Sequence, residues 1–353
     1  MAHPNYIKMH IRTVPELLRD CAETMYQRVK NTLEDEKLEQ TQMVVMTGCG
    51  YSYAAACNGA EFIEKIAGIP ARALYSVDAS RHQSLAVLPK GEQTLFIGVS
   101  GSGVVARVAE GLMRFRTKGV YAVAFSGDMQ SKCARAAQVT VDISTPTVNI
   151  ERGLPLRGYA ATLLAFCGVA WRIAILQGRK SEAERLAFYE DLVVSADELQ
   201  KTLPEIEHQV SDFARKVYQT ASVYELVGSG TGFISAWLGR QELVGQAGVF
   251  GVECSAEDWL HSTFFATRPE TIPTVLISPP NSPARSRLEE VEGYMAYGFV
   301  MKQLAQIKEE KGFMMAQAQY YRNEQIKPMI DEKYGEGASD FFAQAIENYY
   351  KVK

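Results

Sequence analysis

The amino-acid sequence predicts an α/β protein of two tandem units, each a doubly wound parallel sheet flanked by helices. Three observations carry this reading. Apolar runs of strand length recur, each followed by small residues and then by apolar positions at helical spacing, so the hydrophobic period switches from strand to helix at the small residues. Strands alternating with helices in this way pair in parallel and present ligands with loops at their carboxyl ends. The plan restarts in the second half, and 353 residues exceed what one ordinary core accommodates.

Residues 1–40 form an N-terminal helical segment, in which Thr13-Val14-Pro15-Glu16 opens an amphipathic helix with a capping threonine and a first-turn proline. The first unit, 41–180, begins with the strand Met43–Val45, a small-residue helix over 52–67 and a short strand Ala71–Tyr75. Ser76 to Pro89 then holds Asp78, Arg81 and His82 in an exposed loop or short helix. Next come the strand Leu95–Val99 and a helix from Val104, with Val104, Val105, Val108 and Leu112 on one face. The strand Tyr121–Phe125, a helix around Ser131–Ala137, the strand Gln138–Ile143 and the apolar helix Gly158–Leu176 complete the unit. Residues 181–220 read as a helical link interrupted at Pro204. The second unit, 221–300, holds the strand 223–227, a helix 232–247, a strand-like stretch 249–252, the strand Thr274–Ile277, a proline-rich turn and the helix Arg285–Tyr297. Residues 301–353 are a C-terminal helical segment by composition.

Three of the strand-to-helix loops are rich in glycine and hydroxyls: Thr47-Gly48-Cys49-Gly50-Tyr51-Ser52, Ser100-Gly101-Ser102-Gly103 and Gly228-Ser229-Gly230-Thr231-Gly232. A loop at a helix N-terminus offers unpaired backbone N–H groups and the positive end of the helix dipole, an arrangement suited to phosphate. No Gly-Lys-Ser/Thr follows, and the G-x-G-x-x-G spacing is not met after any of the three strands, which disfavours a nucleotide.

A net charge of -4 without a basic tract gives no reason to expect nucleic acid or an anionic membrane as partner. The N-terminus lacks an apolar signal core and no apolar run approaches the length of a membrane span, so the expected location is cytoplasmic. Six cysteines without a C-x-x-C pair read as reduced residues, most of them packing, and the five histidines lack metal-ligand spacing. No metal or other cofactor is expected.

The Gly-Cys-Gly-x-Ser loop, a Ser-x-Ser-Gly loop about fifty residues later and a second half opening on Gly-Ser-Gly resemble the sugar-isomerase (SIS) phosphosugar-binding family. The layout is similar to its two-domain members, the isomerase half of glucosamine-6-phosphate synthase and the fructosamine-6-phosphate deglycases. The resemblance implies two tandem SIS domains and a phosphate held by Cys49, Gly50, Ser52, Ser100, Gly101 and Ser102. It also implies that the loop after the fifth strand reaches the substrate, with Glu151 on a sugar hydroxyl or amine and Arg157 on the anion. Relatives carry Ser-x-Ser-Gly-x-Thr with the threonine on the phosphate; Val105 takes that place here.

In the family a histidine in Glu-x-x-His-Gly-Pro opens the sugar ring, commonly across a dimer interface, and a glutamate sixteen residues earlier moves the C1/C2 proton. This chain has Ala256-Glu257-Asp258-Trp259-Leu260-His261-Ser262-Thr263, which puts His261 in the histidine position. Gly245 occupies the glutamate position, with Glu242 one helical turn earlier and Glu253 and Glu257 as rival bases. The implied activity is a deglycase or aldose–ketose isomerase acting, as a homodimer, on a phosphorylated ketosamine or amino sugar. No glutaminase domain precedes residue 1, so synthesis with ammonia from glutamine is not expected. The alternative is a non-catalytic phosphosugar sensor, favoured by the missing Gly-Pro, the displaced glutamate and Val105.

Overall fold

A computed structural model of the chain describes residues 5–151, 153–217, 221–263, 272–296, 322–324 and 326–351. Two compact units divide it, Met1–Phe213 and Ala214–Lys353. The first opens with α1 (Tyr6–Ile11), α2 (Val14–Thr32) and α3 (Asp35–Gln40). Strands and helices then alternate: β1 (Met43–Gly48), α4 (Tyr51–Phe62), β2 (Ala71–Tyr75), β3 (Thr94–Val99), α5 (Ala106–Arg116), β4 (Tyr121–Ser126), α6 (Lys132–Ala136) and β5 (Val139–Asp142). The long helices α7 (Leu156–Leu176) and α8 (Glu182–Val217) follow.

All five strands pair in parallel, in the order β2-β1-β3-β4-β5. Residues of β3 and β4 are buried on both faces because helices cover both sides of the sheet. Leu95, Ile97, Val99, Tyr121, Val123 and Phe125 point into a core shared with α2, α4 and α7. Val45, Phe96, Ala122 and Ala124 point the other way, under α5 and α6. The N-terminal helices are therefore part of this unit's core: Leu17, Met25, Tyr26 and Val29 of α2 are buried with Phe166, Val169 and Ile173 of α7.

Three expectations change. By length and apolarity α7, with 21 residues, could cross a bilayer, which corrects the reading that no apolar run approaches a span; 72% of its most apolar window is buried inside the protein. A helix apolar on every side is what packing between α2 and α4 requires. The second correction concerns α8, which runs unbroken through Pro204, since a proline removes one helical donor without obliging a packed helix to stop. At its start the buried Arg185 donates to Glu23 of α2 at 2.7 Å and lies 3.9 Å over the Tyr26 ring, fastening α8 to the first unit. Third, α5 opens at Ala106, so Val104 is exposed, and of the predicted face Val108 and Leu112 are the fully buried members.

The second unit contains β6 (Val223–Gly228), α9 (Thr231–Glu242), β7 (Phe250–Ser255), α10 (Ala256–His261), β8 (Thr274–Ile277), α11 (Arg285–Ala296), α12 (Lys327–Tyr334) and α13 (Ala338–Lys351). Its described strands form a parallel sheet ordered β7-β6-β8. The expected end of a helix at Tyr297 and the first part of the C-terminal segment lie outside the described residues.

Through β7 this unit repeats the first without a gap, and by strand register β8 then comes two residues sooner than β3 does. Met43 and Val223 open β1 and β6, Tyr51 and Thr231 open α4 and α9, and Ile63 and Leu243 open a π-helical turn in each, a constant offset of 180 residues. Even the glycines of positive φ coincide, Gly50 and Gly230 both at φ 55° and Gly68 and Gly248 both at φ 66°.

Candidate functional site

The strand order of the first unit reverses between β1 and β3, and the crevice at such a switch point is where open α/β sheets bind ligands. Both predicted loops of this unit leave from there. Thr47 is paired with Gly98, so Cys49 and Ser100 emerge side by side from the carboxyl edge.

In the first loop, Gly48 passes so close to the start of α4 that a Cβ would sit 2.5 Å from the Ser52 carbonyl carbon. The chain then turns at Gly50, and Tyr53 N–H donates to the Gly50 oxygen at 2.9 Å to begin the helix. Cys49 is exposed, with its Sγ 2.9 Å from the Ser76 hydroxyl at the end of β2, and Ser52 is half-buried in the first turn of α4.

The second loop is held from within. The Ser100 oxygen accepts from Gly103 N–H at 2.9 Å, the Gly101 oxygen from Gly127 at 2.9 Å and the Gly103 oxygen from Cys133 at 3.0 Å. A trans peptide points its N–H opposite to its C=O, so three inward carbonyls turn the amides of Gly101, Ser102 and Val104 outward. Gly101 and Ser102 are exposed, whereas Ser100 is buried, its hydroxyl beside the Cys133 thiol but without a well-formed hydrogen bond. No side chain caps α5, which leaves its first amides open to a ligand. In the first turn of α5 Arg107 pairs with Glu110 at 2.6 Å, and Arg81 reaches the same carboxylate at 2.7 Å, leaving net positive charge on that flank.

Residues 37–166 match the family described as SIS domain. This stretch of the chain is similar to an SIS domain. Solved structures share the fold beyond it. The C-terminal domain of glucosamine-fructose-6-phosphate aminotransferase from Francisella tularensis is 15% identical, with a TM-score of 0.68, over 83% of this chain and 81% of that one. Tagatose-6-phosphate ketose/aldose isomerase from Escherichia coli is 13% identical, with a TM-score of 0.61, over 87% and 78%. Glucosamine-6-phosphate deaminase from Thermotoga maritima is 14% identical, with a TM-score of 0.54, over 80% and 82%. No curated protein matches by sequence.

Two further residues expected on the ligand have other partners. Glu151 is exposed and accepts a 2.7 Å hydrogen bond from the Tyr6 hydroxyl on α1. Arg157 is buried, and its terminal nitrogens donate to the main-chain oxygens of Thr13 at 3.1 Å and Pro146 at 3.2 Å. Arg157 therefore ties the loop after β5 to the start of α2 and has no anion-facing geometry, contrary to expectation.

The repeat shows why the second unit lacks an equivalent cradle. With Gly228 in the place of Gly48, the register puts Ile277 in the place of Val99, and Pro279 and Pro280 in the places of Gly101 and Ser102. Prolines have no N–H to offer an anion. What the second unit does carry is the candidate chemistry. His261 is exposed at the end of α10, a helix capped by the Ser255 hydroxyl. Glu257 makes a two-pronged pair with Arg287 at 2.6 and 2.9 Å, which holds its carboxyl below the usual range. Glu253 is bound by Arg240 at 2.8 Å. Glu242 differs from both: burial pushes its carboxyl up, and its Oε2 is buried without a hydrogen-bond partner.

Glu242 and His261 of one chain do not share a site. α9 starts at the carboxyl edge and runs 12 residues, or about 18 Å, toward the amino edge, where Glu242 ends it. β7 then returns to the carboxyl edge before α10 begins. Sequence spacing conceals this because β7, running from the amino to the carboxyl edge, lies between the two residues.

One residue was missed altogether. Glu225 in the middle of β6 is buried, accepts from Trp259 and Thr274, and has its carboxyl raised by burial. An acid inside the apolar run of VYELVG was the available signal.

Proposed function

We propose that the chain binds a phosphorylated sugar at the switch point of its SIS domain and acts on it as an aldose–ketose isomerase or a deglycase of phosphorylated ketosamines. The observation that carries this is the Ser100–Gly103 loop, whose Ser100, Gly101 and Gly103 carbonyls are engaged within the fold, which turns the amides of Gly101, Ser102 and Val104 outward at the edge where the Cys49–Ser52 loop also emerges. The names of the three similar structures, an aminotransferase, an isomerase and a deaminase, each refer to a sugar phosphate and support the ligand class.

In this reading the two loops anchor the phosphate and orient the sugar, which is the larger part of catalysis by positioning. His261 exchanges the ring-opening proton. Among the rival bases Glu242 has the most suitable environment, since a carboxyl raised by burial is a better proton acceptor near neutral pH than one held ionised by arginine. Because Glu242 and His261 lie at opposite edges of the second sheet, the active unit is a homodimer in which each site takes its histidine from the partner. That same separation, if no dimer forms, favours the second reading of a sensor that binds the sugar phosphate without turning it over.

Thermal shift with fructose-6-phosphate, glucosamine-6-phosphate and a ketosamine 6-phosphate tests the anchor. Ligand bound to the native state alone raises the melting temperature by mass action, and Ser100→Ala with Ser102→Ala should abolish the shift. Equal shifts from the unphosphorylated sugars would reject the anchor. Solvent deuterium appearing at C1 or C2 distinguishes the enzyme from the sensor.

A further inference from the structure

The two units of the repeat can be compared position by position, and one cluster departs from the plan. In the first unit Val45, Ala79 and Phe96 meet in a wholly buried apolar cluster, with Val45 paired to Phe96 across the β1–β3 ladder. The equivalent positions in the second unit are Glu225, Trp259 and Thr274, and Glu225 is likewise paired to Thr274 across β6–β8. Three neighbours have changed together from an apolar contact to a hydrogen-bonded group. Trp259 Nε1–H donates to Glu225 Oε2 at 2.7 Å, and the Thr274 hydroxyl donates to the same oxygen at 3.1 Å.

Packing does not require the change, because the same backbone plan is filled with hydrocarbon in the first unit. A carboxylate in the middle of a strand is an unfavourable choice for stability alone, and what it adds over valine is direction. Trp259 belongs to α10, a helix of six residues, too short to hold its own geometry. Its outer side is held by Glu257 on Arg287, and its inner side by the indole on Glu225. Apolar contacts would let so short a helix roll, whereas an N–H aimed at a fixed carboxylate oxygen sets its rotation. His261 lies two residues beyond Trp259, at the exposed end of that helix.

We propose that Glu225 is a positioning residue: through the Trp259 indole it sets the orientation of α10 and hence the place from which His261 reaches the substrate. The catalytic consequence rests on the functional reading above; the orientation of α10 does not.

The test therefore uses two readouts. In Glu225→Val, which installs the residue of the first unit, the amides of Leu260, His261 and Ser262 should exchange with solvent at least tenfold faster, and the Trp259 indole N–H resonance should move upfield. Turnover of the sugar phosphate should fall at least tenfold at unchanged KM, since the phosphate anchor lies in the other unit. Glu225→Gln, which keeps an acceptor for the indole, should restore exchange, resonance and turnover to within threefold. Trp259→Phe removes the donor alone and should reproduce the valine variant, which covers the case in which Glu225→Val does not fold. Exchange within twofold of the parent in the valine and phenylalanine variants would overturn the proposal, as would a glutamine variant as impaired as valine. If the parent turns over no sugar phosphate, the enzymatic reading fails on that result, while exchange and the indole resonance still decide whether Glu225 orients α10.

Discussion

Substituting Gly103 by alanine should damage the Ser100–Gly103 loop more than any other single change there. Gly103 has φ 68°, where an L-residue is strained, and a Cβ built on it would lie 2.0 Å from the Ser131 Cβ and 2.1 Å from its Oγ. Ser131 cannot easily withdraw, because its hydroxyl caps α6 by accepting from Ala134 N–H at 3.2 Å. Left-handed backbone costs about 1–2 kcal/mol, overpacking about 1–3 and a lost cap about 1, or roughly 3–6 kcal/mol together. For a unit of this size each kcal/mol lowers the melting temperature by about 2–4 °C, so a drop of roughly 6–24 °C is expected by calorimetry. Gly101→Ala is the control: a Cβ there meets nothing within 4 Å and its φ is not positive, so stability should stay within about 0.5 kcal/mol. Ser131→Gly added to Gly103→Ala should recover the steric part but not the backbone strain. A Gly103→Ala protein melting within 2 °C of the parent, a threshold set at about 1 kcal/mol, would refute this account of the loop.

Three other outcomes follow from particular contacts. Arg157→Ala should lower stability by about 2–4 kcal/mol in urea titration, because the carbonyls of Thr13 and Pro146 lose their donor, yet leave the thermal shift by sugar phosphates unchanged. For pH, the raised Glu225 carboxyl means that the native state holds its proton to higher pH than the unfolded chain. Its contribution is therefore present near and below the ordinary value of 4.5 and is lost as pH rises through the raised one. Urea midpoints of parent and Glu225→Gln measured across that window should differ in slope, with the parent declining more steeply. Finally, Glu242→Gln should lower turnover about 10²-fold or more, whereas Glu257→Gln should change it only a few-fold, since Arg287 already holds Glu257 as a weak base; the reverse order would move the base to α10.

Much of the fold was legible in the residues alone. The change from strand to helical period at Gly48-Cys49-Gly50 and Ser100-Gly101-Ser102-Gly103 located two loops of the first unit, and Val223 to Thr231 announced a second copy of the plan. These are local properties: burial of a strand or helix face imposes its period on the few residues that make it. The placement of Cys49 beside Ser100 also followed, because parallel strands joined by helices put such loops on one edge.

Tertiary structure alone decided the rest. Arg157 looked like an anion contact until its donors were found on the carbonyls of Thr13 and Pro146, and Val104 looked like core until α5 began two residues later. Helical counting put Glu242 one turn from Gly245, the position of the family's glutamate, but the direction of the chain through α9 and β7 puts it at the opposite edge from His261 of the same chain. Strand register aligned Pro279 and Pro280 with Gly101 and Ser102, and it aligned Glu225 with Val45. What a side chain donates to, and which edge it reaches, depends on elements distant in the chain, so no local period encodes it.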